Sequence, residues 1–414
     1  MAIRLSLSQM RITRRNFFTV FFLVLNIFVW LDMSNITLRS ALSNPSIVAA
    51  ERTVVWAFYY IIAIGSSLLG AILAPKIRIF RFLYFWMIFG VASSLIPAIF
   101  SVDTMTKGIG VSFLLATSFG LGMPSCLSYL ADSTSIENRG RLSGIIYFAI
   151  NLSMFISAMY LLRLDLTSQS IASAIWRASG LILFFWLKPK EEITDIKRKH
   201  VGYKSVLYNR SYLLYFIPWI MFSLVNGLDV PTLQKTFGSS FDGLVLLSFV
   251  ICSFSALFAG FMSDFIGRKR VTLYGFIALG LAYALLGVAP YWWVSWYFFA
   301  IIDGVAWGIF SVVLILIIWG ELPLGVAKEK FYAIGGVPFI IGNMIQKLQY
   351  PYIIVEPYAA FSFASFFLFL AVLPLMYAPE TLPEKKMEIR RLKSYVEQAK
   401  KFTEKYTKKS GNKR

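Results

Sequence analysis

The chain has 414 residues, of which 58% are hydrophobic and only 15% charged, with a formal net charge of +19. Soluble domains carry about 25% charged residues, so this chain cannot cover a water-facing surface of its size, and disordered, collagenous and nucleic-acid-binding classes are excluded for its bulk. Cys126 and Cys252 lie inside apolar runs as packing residues and His200 is the single histidine; with no His/Cys metal set, haem site, Ser–His–Asp triad or Gly-rich phosphate loop, neither a cofactor nor an enzyme is expected.

Twelve apolar segments follow in chain order: 17–38, 53–74, 80–100, 109–130, 142–162, 170–187, 212–233, 243–263, 271–290, 294–319, 331–350 and 357–378. Each approaches the roughly 20 residues a helix needs to cross a bilayer. The runs are continuous rather than alternating, which argues against a barrel and for helices, because backbone polar groups in lipid must be satisfied within the segment. The first run is too long, and lacks the small-residue cleavage site, for a removable signal peptide. The expected fold class is all-α: a polytopic membrane protein of twelve transmembrane helices in two six-helix repeats around a central cavity. Its expected units are a bundle over 1–187, a basic linker over 188–210, a second bundle over 211–378 and a basic tail over 379–414.

Charge placement explains the positive balance. With the N-terminus inside, 33 of the 40 lysines and arginines fall in inside segments, six fall outside, and Arg177 lies within a span. That bias orients both termini to the cytoplasm. It replaces a nucleic-acid reading with an orientation signal whose tail touches anionic lipid. A cell membrane is the default location, and the sequence sets no oligomeric state.

The chain also repeats itself. Gly70 matches Gly260, Asp132 matches Glu321, and Pro189 matches Pro379, at offsets of 190, 189 and 190. A duplicated six-span unit gives two parallel halves related by an axis along the membrane normal, with a site expected at their interface.

Three motifs carry a family resemblance. Gly260-Phe-Met-Ser-Asp264-Phe-Ile-Gly267-Arg268-Lys269-Arg270 falls between two spans. Its glycines permit a tight turn and close helix approach. Gly120-Leu-Gly122…Tyr129-Leu-Ala-Asp132…Arg139-Gly140-Arg141 closes the fourth span, with Glu321…Lys328 as its repeat partner, and Pro379-Glu380-Thr381 follows the last span. The chain resembles the major facilitator superfamily over about 17–385, and within it the sugar-porter-like group. The resemblance implies that the first motif is a cytoplasmic latch in the outward-open state. Gly260, Asp264, Gly267 and Arg268 carry that latch, while Asp132, Arg139, Arg141, Glu321 and Lys328, acids and cations at helix ends repeated in both halves, read as a cytoplasmic gate network or as helix-end caps with positive-inside charges. Ala74 and Ile77 stand where the first-half latch needs aspartate and glycine, and the fifth span lacks the Gly/Pro signature of drug antiporters.

Polar residues inside apolar spans are costly, so they nominate a site. Asp32, with Asn26 and Asn35 nearby, is the candidate for taking up a proton, and acids in the first span of proton-coupled family members point the same way. Tyr147 and Asn151 share a face of the fifth span, as do Asn343 and Gln346 of the eleventh. Asn226, Asp229 and Asp303 complete the cavity candidates; Lys347 is expected to snorkel, and Arg177 to form a structural pair or snorkel. Trp30, Trp219 and Trp307 are packing residues or stacking platforms. The expected function is secondary transport of a small polar solute, namely a sugar, polyol or organic acid, by rocking-bundle access, with proton symport through Asp32. A proton-driven exporter, an uncoupled facilitator and a non-transporting sensor are the alternatives.

Overall fold

The computed structural model describes residues 14–77, 79–187, 201–323, 325–349 and 355–383. Arg4, Arg11, Arg78, Pro189 and His200, together with most of the linker and the tail beyond Pro383, lie outside the described residues. Among the described residues each predicted apolar run is helical. The helices are α1 (Arg14–Ala41), α2 (Ala49–Leu73), α3 (Ile79–Ile99), α4 (Met105–Ser133), α5 (Arg139–Leu161), α6 (Leu166–Leu187), α7 (Arg210–Phe237), α8 (Phe241–Ile266), α9 (Arg268–Val288), α10 (Trp293–Glu321), α11 (Glu329–Gln349) and α12 (Pro357–Tyr377). Tyr203–Leu207 forms a short helix before α7.

Among the described residues ten helical stretches are long and apolar enough to cross a membrane; Arg210–Ile266 is one of them and contains both α7 and α8, while α11 is not among them. Helix α11 carries Glu329, Lys330, Asn343, Gln346 and Lys347, so its polarity hides it from a hydropathy criterion. The helices also outrun the apolar segments at the end of the molecule that carries the linker. α5 starts on Arg139, α9 starts on Arg268, and α10 runs to Glu321. Those charges are helical because they are paired there. At the same end of α7, Asn209 caps the helix by accepting from the Tyr212 amide, which satisfies one of the free N–H groups of the first turn. Pro231 does not end α7, which continues to Phe237. Two helices are irregular. α4 breaks at Leu121–Gly122 and restarts with Pro124 in its first turn, where a proline costs no hydrogen bond. α10 widens into a fully buried π-helix over Ser311–Ile317.

Helix neighbours repeat with a shift of six. α1 packs on α5 and α6, α2 on α4, and α3 on α4 and α6; correspondingly α7 packs on α11 and α12, α8 on α10, and α9 on α10 and α12. The main contacts between the halves are α5 with α8 and α2 with α11, and these two are themselves related by the same shift. The α5–α8 crossing requires glycine. A Cβ on Gly260 would stand 2.4 Å from the Gly140 carbonyl oxygen, and one on Gly144 would stand 2.6 Å from that of Ala256. On the outer helices α3, α6, α9 and α12, Phe85, Ile182, Leu281 and Phe366 are exposed. Apolar surface of that extent fits lipid rather than water.

Candidate functional site

A cavity of about 1080 Å³ opens between the halves at the end away from the linker. Its wall is built from the C-terminal end of α1, the start of α2, the middle of α5, and parts of α7, α8, α9, α10 and α11. Tyr147, Asn151, Asn226, Asp303, Asn343 and Gln346 line it. Their helices place Tyr147, Asp303 and Trp307 deepest, and Asn343 and Gln346 nearer the mouth. Asp303 accepts a hydrogen bond from the Ser248 hydroxyl at 2.6 Å. Asn151 donates to the Cys252 sulfur at 3.5 Å, joining α5 of one half to α8 of the other. Trp307 faces the cavity and packs edge-on against Phe222.

At the linker end ion pairs cross between the halves. Arg139 lies 3.2 Å from Glu321, and Lys328 lies 2.9 Å from Asp132. These two pairs are related by the internal repeat, since Asp132 matches Glu321 and Arg139 matches Lys328 at offsets of 189. Each half thus presents its acid to the other half's cation. A second set belongs to the latch motif and has no first-half copy. Asp264 pairs with Arg268 at 3.0 Å and with Arg141 at 3.1 Å, and it accepts the backbone N–H groups of Gly140 and Arg141 at 2.9 and 3.0 Å. Arg268 also reaches Glu321 at 3.3 Å. Arg139, Arg268, Asp264 and Glu321 are all buried. Buried charges survive in such a site only when paired and hydrogen-bonded, and each of these is.

The motif's turn depends on Gly267, whose φ is +106°. A Cβ there would also stand 2.2 Å from the Glu380 carboxylate. That carboxylate accepts the N–H groups of Arg268 and Lys269 at 2.9 and 3.2 Å, capping the first turn of α9. Thr381 donates to Glu321 at 2.5 Å. Glu380 and Thr381 thus join the charged cluster, and an acid directly after the last span is their signal in the sequence. Ser128, which donates to Glu329 across the halves at 3.0 Å, had no signal in the sequence.

Four predicted cavity or coupling residues do not reach the cavity wall. Asn26 is turned into the first half. Its amide donates to the Trp176 carbonyl at 2.7 Å, and its oxygen accepts from Arg177 at 2.8 Å. Arg177 is fully buried, 4.0 Å from the Trp86 ring centroid and 5.2 Å from that of Trp30, so it is structural and does not snorkel. Asp229 is buried against the Tyr283 hydroxyl, one layer behind the wall. Asp32 and Asn35 are half-buried, on the face of α1 that presents Arg39 to the cavity seven residues later. Of the three tryptophans, Trp30 donates to Ser94 and Trp219 to the Gly335 carbonyl, both buried; only Trp307 faces the cavity. Conversely, Arg39, Arg52 and Lys347, which the sequence reads as loop or snorkelling residues, line the wall.

No family model and no curated protein matches this sequence. Among solved structures the chain is similar to the proton:xylose symporter XylE bound to 6-bromo-6-deoxy-D-glucose, with a TM-score of 0.68 and 16% identity over 89% of this chain and 96% of that one. It is also similar to the human organic anion transporter MFSD10, with a TM-score of 0.62 and 15% identity over 87% of this chain and 99% of that one. The chain has the major facilitator fold. Within that fold the two similar structures are described as carrying different solutes, so the sugar-porter-like assignment drawn from the short motifs is finer than the fold.

Proposed function

We propose that the protein is a secondary transporter that moves a small polar solute by alternating access. One observation carries this reading: a large polar cavity opens at one end, while repeat-related ion pairs between the halves seal the other. Rocking the halves apart at the linker end must break Arg139–Glu321, Arg141–Asp264 and Asp132–Lys328, and it would close the cavity's present mouth. The Gly140, Gly144 and Gly260 contact gives α5 and α8 a smooth surface on which to pivot. The positive-inside bias makes the linker end cytoplasmic, so the described state faces outward. Proton symport through Asp32 is the coupling mode within this proposal, supported by an acid on the α1 face that continues into the cavity wall. The symporter XylE is a fold neighbour consistent with it.

Reconstitution tests the reading. Purified protein in liposomes with a trapped pH dye is offered sugars, organic acids, amino acids and cationic drugs singly. A solute that acidifies the lumen only when Asp32 is intact supports symport. A solute that enters without acidification supports an uncoupled facilitator. A dye silent to the whole panel counts against proton symport of these solutes and leaves an uncoupled facilitator, another coupling ion or a sensor.

A further inference from the structure

The mouth of the cavity is basic on both sides. Arg39, near the end of α1, and Arg52, in the first turn of α2, line it from the first half, and Lys347 of α11 lines it from the second. Lys347 already leans across, its ammonium 5.7 Å from the centroid of the Trp56 ring on α2. Arg52 gives one N–H to the Asn44 carbonyl at 3.2 Å, while its Nε has no acceptor among the described residues. Among the described residues none of these three cations has a carboxylate within ion-pair distance. At the linker end Arg139, Arg141, Arg268 and Lys328 each have at least one.

Two acids share the cavity. Asp303 lies deeper and is held by Ser248, and Asp242 sits in the first turn of α8, where the helix dipole favours a negative charge. Neither is paired with the three cations. Like charges facing each other across a narrowing gap repel, and more strongly as water leaves. Closing this mouth with the site empty would therefore bring Lys347 towards Arg39 and Arg52 with nothing between them.

We infer that the solute is a small organic anion whose carboxylate or phosphate is held between Arg39 and Arg52 of one half and Lys347 of the other. This inference rests on the transporter reading above and names its substrate class. The guanidinium forks match a planar carboxylate or a phosphate face, and charge-assisted bonds are the stronger kind. Asn343, one turn below Lys347, and Gln346 beside it offer neutral hydrogen bonds to the rest of the solute. An anion shared by both halves removes their repulsion at the mouth. Its binding energy thereby favours the state in which this end is closed.

Charge-matched pairs provide the test, with full-length protein in liposomes and radiolabelled gluconate against glucose, glucose 6-phosphate against glucose, and benzoate against benzamide and benzylamine. The expected result is uptake of anionic members only, with the pairs separating carboxylate from phosphate preference. Lys347→Gln should raise the half-saturating concentration by about tenfold or more, the loss expected when one charged hydrogen bond is removed, and Lys347→Arg should restore most of it. Preferential uptake of a neutral or cationic member would overturn the anion assignment and leave the transport reading standing. Anion uptake untouched by Lys347→Gln would overturn the role given to this residue. No uptake of any compound by the unaltered protein would contradict the transport reading itself, and the anion assignment would fall with it.

Discussion

Neutralising Glu321 should release the latch. Its two oxygens accept from Arg139, Arg268 and Thr381 at 3.2, 3.3 and 2.5 Å, in a site where all three charges are buried. Removing one partner of a buried ion pair costs about 3–5 kcal/mol. The lower figure applies here, because Arg139 keeps acceptors on Thr134 and Ala131, and Arg268 keeps Asp264. A cost of about 3 kcal/mol borne only by the latched state moves the equilibrium roughly a hundredfold towards opening at the linker end. A protein resting about 10:1 in the described state would then rest at about 1:10 in Glu321→Gln. The natural thiol Cys252 lines the cavity and reports this shift, while Cys126 is fully buried in the first half. In a Cys126→Ser background, labelling of Cys252 by a membrane-impermeant maleimide should slow by roughly tenfold in Glu321→Gln. Arg139→Gln should act the same way, and the double variant should add little, because the two groups form one interaction. An unchanged labelling rate in variants that remain monodisperse would refute the latch.

Other perturbations follow from the same geometry. Gly260→Leu forces a side chain into the α5–α8 crossing, and overpacking of about 1–3 kcal/mol or more should lower the melting temperature and the yield in detergent; normal stability would refute the tight crossing. Glu380→Gln removes the charge that caps α9, so thermal unfolding should begin earlier by an amount corresponding to about 1–3 kcal/mol, and an unshifted transition would show that the cap is idle. Asp32→Asn should abolish proton-driven accumulation yet leave solute exchange down its own gradient intact, and proton coupling retained in that variant would remove Asp32 from the mechanism.

The latch was legible in the sequence because its parts are dense and repeated. Gly260 to Arg270 packs glycines, an acid and three bases into eleven positions between two apolar runs. The offset of 189 that links Asp132 with Glu321 also links Arg139 with Lys328, so the crossed pairing follows once two halves face each other. The cavity was legible only in part, for a physical reason. A polar residue in an apolar helix announces a cost, but the sequence does not say which neighbour meets it. Asn26 and Asn151 look alike in sequence; one serves Arg177 inside a half, and the other lines the cavity beside Cys252. The cations of the mouth were missed for the opposite reason. Arg39 and Arg52 lie beyond the apolar runs, where hydropathy reads loop, while the helices α1 and α2 extend far enough to carry them to the wall. α11 shows the same effect along a whole helix, since its polar residues lower the hydropathy that marks a span.

Alternating access requires the two ends of one molecule to open in turn. Paired spin labels on Ser135 and Ala327 report separation of the halves at the linker end, and labels on Ser43 and Lys235 report it at the cavity mouth. Distances measured in lipid, with and without a transported solute, should show two populations in which one pair is long when the other is short, and Glu321→Gln should enrich the linker-open population. A single unchanging distance at both ends under every condition would contradict alternating access.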